Sequence, residues 1–538
     1  MDRLTWQQGW KHRWTLWVFA WTALGLLATV IAVAGSAPEA RARNPILWMD
    51  VPDVAVIRVG DTYYMSSTTM HMSPGLPLMR SRDLVQWELV NYAHEVLEDS
   101  DALSLRNGQN AYGGGSWASS LRYHNGTYYV TTFSHTTGRT YVFQTDNIEK
   151  GSWRRSSFRP ALHDHSLHFE DDGRVFMVHG AGDIWLTELE PDLSGIKPGG
   201  IHQVIISNAS RVAGPNIGLP AEGSQLRKIR GKYYLNLITW PRGGMRTQLI
   251  FRSDRLTGPY EGRVALQDRG VAQGGLIDTP DGRWFALLFQ DHGAVGRTPF
   301  LVPVRWEQDW PVYGVDGKVP DTLDLPAPRD PLSNVVISDE FDRRPGDPPL
   351  PLAWQWNHNP DPRFWSVTER PGWLRLRTGR VDRDLLEARN TLTQRTFGPE
   401  CAGWTRVDVS GLKEGDHAGL ALLQRRFGQL AVVREDGQRW LILRHAEKDT
   451  PVVAERIPYE SDTVWLGVVC DFRNLADVAQ FHYSQDGRDW KPIGPRIRLT
   501  YTLPHFMGYR FALFAYATRE PGGHADFDFF RVGSGLPR

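Results

Sequence analysis

At 538 residues the chain is too long for one ordinary hydrophobic core, and two large domains are the natural expectation. Its 61 basic and 61 acidic side chains balance, which leaves no basic face for nucleic acid and no acidic tail. The 52 Gly and 35 Pro suit many short strands joined by tight turns, and the 22 Trp, 22 Phe and 17 Tyr suit an aromatic all-β core or a surface that stacks on sugar rings.

Arg3, Lys11 and Arg13 precede an uncharged run from Thr15 to Ala34, which ends in Ala32-Val33-Ala34 and then GSAPEARAR. Residues 1–43 therefore read as an export segment plus linker, either a cleaved signal peptide or an N-terminal membrane tether through residues 15–34. The body is expected outside the cytoplasm: secreted, periplasmic or membrane-anchored.

From residue 44 a unit recurs: GDTYYM at Gly60, GTYYV at Gly126, GRVFMV at Gly173, GKYYLN at Gly231 and GRWFAL at Gly282. Each follows a polar turn and opens a short aromatic or β-branched strand, and an apolar strand precedes each turn, so each copy reads as a β-hairpin. A weaker second element follows most copies (RSRDLVQW, FQTDNIEKGSW, TELEPDLSG, FRSDRLTGPY). Four strands per repeat of this length is a propeller pattern, and five repeats predict a five-bladed β-propeller over residues 44–325.

PAPRDPLSN, from Pro326, reads as the start of a linker over residues 326–336. Beyond it, WLRLR, AGLALLQ, QLAVVRE, WLILRH, VWLGVVC and FALFAYA alternate with regular turns and predict a β-sandwich over 337–538. The two cysteines, Cys401 and Cys470, lie in these strands with no spacing that suggests zinc, and read as buried thiols or a disulfide. The sequons at Asn125 and Asn208 matter only in a host that glycosylates. Nothing in the chain gives reason to expect a cofactor, and no metal ligand set is assigned.

Three acids sit where inner propeller strands are expected, just before a hairpin: Asp53, Asp164 and Glu222. Acids at such half-buried positions are unusual unless paired or functional. Glu170, Asp171 and Asp172 lie in a turn and read as solvated turn formers, whereas Asp50 begins as an equal candidate beside Asp53. Inner strands of a propeller converge on one axial end, so distant acids can share a pocket. A pair of carboxyls, one protonated and one ionised, is the minimum for cleaving a glycosidic bond, and a third can raise the acid's pKa by like-charge repulsion.

The stretches NPILWMDVPDVAVIRVGDTYYM, WASSLRYHNGTYYV, HDHSLHFEDDGRVFMV, AEGSQLRKIRGKYYL and QGGLIDTPDGRWFALLFQDHGAVGR resemble glycoside hydrolase family 43. EFDRRPGD, LLEARNTLTQRTFGPEC and HAGLALLQRRFGQLAVV resemble its xylosidase-type C-terminal, concanavalin-like sandwich. The resemblance implies an inverting exo-glycosidase of the β-xylosidase or α-L-arabinofuranosidase type acting on xylan, arabinoxylan or their oligosaccharides. Asp53 would be the general base, Asp164 the pKa modulator and Glu222 the general acid, with Asp50 left as an entry-turn or pocket-rim residue. Trp117 would form a stacking wall, Arg297 would bind sugar hydroxyls or the carboxylates, His71 and His292 would reach the ligand from loops, and Phe427 would lie in a sandwich loop over the pocket. The chain departs from the family at Val54-Ala55, at Ser119-Ser120, at His165 beside the pocket wall, and at Gln273, where many members carry a His. Two further readings compete: the same fold acting on arabinan or galactan, and a carbohydrate-binding propeller without catalysis.

Overall fold

The computed structural model describes residues 40–446 and 450–537; the segment expected to direct export, through residue 39, lies outside the described residues. The five repeats each fold as a four-stranded antiparallel blade, strands in chain order from the axis outward. The inner strands are Ala55–Val59, Ser119–His124, Ser166–Phe169, Ile217–Ile229 and Ala272–Asp278, heading blades I to V.

The recurring glycines occupy the first hairpin turn of every blade, all with positive φ. In the two-residue turns at Asn125-Gly126 and Arg230-Gly231 both residues are left-handed, at φ 48° and 81° and at 50° and 80°. That is the type I′ geometry that matches strand twist, and it explains why Gly recurs there. Apolar side chains on the faces of adjacent blades then pack against each other, as Leu121, Val130 and Tyr141 do with Leu76 and Leu78 between blades II and I.

The propeller closes through the short strand Arg41–Arg43, which pairs antiparallel with Thr322–Pro326. Beside this pair, the Asn44 side chain donates to the carbonyls of Leu301 and Pro320, both at 2.9 Å. The first blade and the last are thus tied at the seam. The segment after Pro326 is held as well: Asn334 bonds both backbone groups of Leu89 on the edge of blade I.

The C-terminal part is a sandwich of two seven-stranded sheets. Cys401 and Cys470 face each other on paired strands inside it as buried free thiols. Sandwich and propeller meet without a gap in hydrogen bonding. Ser73 and Trp356 exchange backbone bonds at 3.0 and 2.6 Å, Gln355 donates to Thr69 Oγ1 at 2.9 Å, and Tyr509 N donates to the Ala294 carbonyl at 3.0 Å. The largest apolar cluster runs across this junction, from Met49 and Val51 through Val295 to Phe397 and Tyr509. Among the described residues no helix is long and apolar enough to cross a membrane.

Candidate active site

Asp53 and Asp164 each stand two residues ahead of an inner strand, in left-handed backbone at φ 53° and 46°. Such conformations are uncommon for non-glycine residues and cluster at functional sites. Glu222 lies within the inner strand of blade IV opposite Ile238, with a register shift on each side and Gly223 at φ 73° behind it. A bulge re-aims the side chain it carries. The three carboxyls line one cavity of about 760 Å³.

Arg297, from blade V, is only 3% exposed. Its Nη1 donates to Asp53 Oδ1 at 2.8 Å and its Nε to Asp291 Oδ1 at 3.3 Å. Arg246 Nε meets the other oxygen of Asp291 at 2.5 Å, which extends the charge chain to the cavity wall. The Arg297 guanidinium is flanked by the rings of Phe289 and Phe506, at 4.9 and 4.6 Å from their centroids. Burial raises the Asp53 pKa, while the positive charges of Arg297 and Arg246 pull it down.

Burial also pushes the Asp164 pKa up to about 7; the charges of Glu222 and Asp53 add to the rise, and His163 opposes it. His163 Nε2 lies 3.0 Å from Glu222 Oε2 and 4.0 Å from Asp164 Oδ2. Burial lowers the His163 pKa, but the bond to Glu222 and the charge of Asp164 outweigh it, and the net shift is upward. Donor atoms of His163, Asp164 and Glu222 lie within 4.8 Å of one another. His163 and Glu222 bond to each other directly, so a cation bound here would have to displace that hydrogen bond.

Trp117 and Arg297 line the cavity, whereas His71, His292 and Phe427 do not. His71 is buried at the propeller–sandwich junction, its Nε2 3.1 Å from Asn357 Oδ1 and its ring 4.5 Å from that of His358. His292 turns away to Gln290, at 2.9 Å, and packs edge-on against Trp48. Phe427 is 1% exposed in an apolar cluster with Met70, Met72 and Met507. The sandwich still reaches the cavity, but through Leu503 and Phe506. The Phe506 ring stacks on Trp117 at 5.6 Å and 18°. His165 is buried between blades, 2.8 Å from Thr131 Oγ1, and stays out of the main cavity.

Asp50 is not at the rim. It is 4% exposed, and it accepts the backbone N–H of Arg297 at 2.8 Å and that of Gly508 at 3.1 Å. One buried carboxylate therefore anchors both the strand that carries Arg297 and the sandwich loop that carries Phe506. The approach is tight: a Cβ on Gly296 (φ 105°) would stand 2.2 Å from Asp50 Oδ1. Other lining residues, Leu219, Trp240, Arg246 and Gln273, complete the walls.

The family model for glycosyl hydrolases family 43 matches residues 42–311, and that for the β-xylosidase C-terminal concanavalin A-like domain matches 338–533. The chain belongs to glycoside hydrolase family 43. It is 29% identical to a β-xylosidase of Formosa agariphila, over 90% of this chain and 89% of that protein. A non-reducing end α-L-arabinofuranosidase of Bacteroides ovatus is 28% identical over 76% of this chain and 79% of that protein. The solved structure of a bifunctional GH43-CE protein of Bacteroides eggerthii superposes with a TM-score of 0.91 at 56% identity. That alignment covers 93% of this chain and 64% of the bifunctional protein, so this family 43 hydrolase spans somewhat less than two thirds of its length.

Proposed function

We propose that this hydrolase is an exported, inverting exo-glycosidase that removes terminal β-D-xylosyl or α-L-arabinofuranosyl units from saccharides derived from xylan or arabinoxylan. The observation that carries the reading is the meeting of Asp53, Asp164 and Glu222, from three blades, in one cavity walled on one side by Leu503 and Phe506 of the sandwich. A wall of that kind favours a chain end over an internal segment. Relatives named as a β-xylosidase and an α-L-arabinofuranosidase support the sugar class. The uncharged run Thr15–Ala34 behind Arg3, Lys11 and Arg13 supports export.

In this mechanism Asp53, whose negative charge Arg297 stabilises, takes a proton from a water that attacks the anomeric carbon. Glu222 gives a proton to the leaving oxygen as the glycosidic bond breaks. Asp164 sits against Glu222 and shares its charge environment. A single displacement through a water corresponds to carboxyls about 6.5–9.5 Å apart. Two assays test this. Hydrolysis of nitrophenyl β-xyloside and nitrophenyl α-L-arabinofuranoside identifies the sugar, and failure on both refutes the substrate class. Proton NMR of fresh product should show the inverted anomer first; early retention refutes single displacement.

A further inference from the structure

Beside the carboxyl assigned as general acid stands a histidine for which the mechanism above has no use. His163 is 25% exposed at its side chain, and its Nε2 lies 3.0 Å from Glu222 Oε2. Its other ring nitrogen, Nδ1, lies 3.3 Å from Nε2 of His135, a solvent-exposed residue of blade II. The two imidazoles are 25° apart in plane, and the edges of Trp117 and Phe133 pack around His163. The charged and titratable groups facing it are Glu222 from blade IV, Asp164, His165 and His179 from blade III, and His135 from blade II.

We propose that His163 is the positioning residue of the general acid: its Nε2–H, donated to Glu222 Oε2, reserves the acid proton for Oε1. The proposal rests on the assignment of Glu222 as acid. A carboxylic acid has two oxygens, and only the one facing the scissile bond is useful with a proton on it. A donor fixed on Oε2 makes that oxygen the carbonyl and leaves the O–H to Oε1. His135 completes the arrangement by donating its own Nε2–H to His163 Nδ1, which sets the His163 tautomer with hydrogen on Nε2.

The test uses leaving groups. Xylobiose needs its leaving alcohol protonated, whereas 2,4-dinitrophenyl β-xyloside departs as a stable phenolate and needs little acid. In the full-length chain, His163→Leu should lose about 10- to 100-fold in kcat/KM on xylobiose and less than about 3-fold on the dinitrophenyl xyloside. His163→Gln places an amide N–H near the position of Nε2 and should recover most of the xylobiose activity. The ratio of the two rates does not depend on the folded fraction, so partial misfolding cannot imitate the result. Equal losses on both substrates, or a Gln variant no better than Leu, overturns the proposal. Wild-type turnover of both substrates, and a still steeper leaving-group dependence in Glu222→Gln, check the underlying reading separately.

Discussion

Arg297 is the point at which the chemistry depends most on a single contact. Arg297→Met keeps an unbranched, apolar side chain between Phe289 and Phe506 but removes the 2.8 Å bond to Asp53 and the 3.3 Å bond to Asp291. Asp53 is 6% exposed. Leaving such a carboxylate charged without its partner would cost about 3–5 kcal/mol. It escapes most of that cost by taking a proton, since burial already raises its pKa and the charge of Arg297 is the largest effect opposing the rise. The residue proposed as base is then occupied. The expected loss in kcat/KM at neutral pH is about 10²- to 10⁴-fold, the usual worth of a general base. The acid limb of the pH–rate profile should move to higher pH, so part of the activity returns on the alkaline side. Arg297→Lys should fall between wild type and Met, because an ammonium supplies the charge without the fork that holds two carboxylates at once. Steady-state rates across pH 5–9, with chemical melts to confirm folding, decide the matter. A Met variant within about tenfold of wild type and with an unmoved acid limb would refute the reasoning.

Asp50→Ala leaves the buried N–H groups of Arg297 and Gly508 without an acceptor, at about 1–3 kcal/mol each, and urea melts should register the loss; Asp50→Asn should be milder and retain turnover, whereas Asp53→Asn should abolish it. Asp164, whose pKa burial pushes up to about 7, should lose its proton as pH rises through that value, so the kcat/KM profile should bend there. Asp164→Asn removes that titrating group and should abolish the bend; an unchanged profile near pH 7 would count against this assignment. His505 is buried at the junction with neither ring nitrogen bonded to a protein atom, and burial depresses its pKa to about 3. A depressed folded pKa gives stability that is present above the unfolded value near 6.5 and lost as pH falls toward 3. His505→Phe keeps the ring stacked on Tyr112 and should flatten the fall in melting temperature between pH 7 and 4.5, measured against wild type.

The propeller was legible because its signals are local. A Gly with positive φ between two alternating strands can be read in a few residues, and five copies leave little choice of fold. Asp53, Asp164 and Glu222 could be singled out for a similar reason, since an acid just ahead of or within an inner strand contradicts its own segment. The walls of the cavity were another matter. Phe427 and Phe506 both lie in loop-like stretches of the sandwich; Phe427 falls into an apolar cluster with Met507, while Phe506 is turned into the cavity at φ 62°. Nothing within either stretch decides between them. His71 is drawn inward by Asn357, 286 residues away in sequence, and so leaves the loop role its neighbours suggest. His163 stood beside Asp164 in the same motif, but its value depends on Glu222 arriving from the next blade.

These misplacements share a cause, and Asp50 shows what it is. Read within DVPDVAVIRVGD, Asp50 is an acid at a turn with no partner in view. In the fold its two oxygens hold Gly508 and Arg297, 458 and 247 residues away. It thereby joins the loop that walls the cavity to the strand whose guanidinium holds Asp53. The sandwich is for that reason more than a cover laid on a finished propeller. A movement of the loop at Gly508 pulls on the same carboxylate that fixes the Arg297 backbone, and the position of the base follows. Mutations in the loop from Tyr501 to Gly508 should therefore alter kcat as well as KM, although only Leu503 and Phe506 of that loop line the cavity. Loop variants that raise KM alone would show the two domains to be energetically separate, and would confine Asp50 to a structural role.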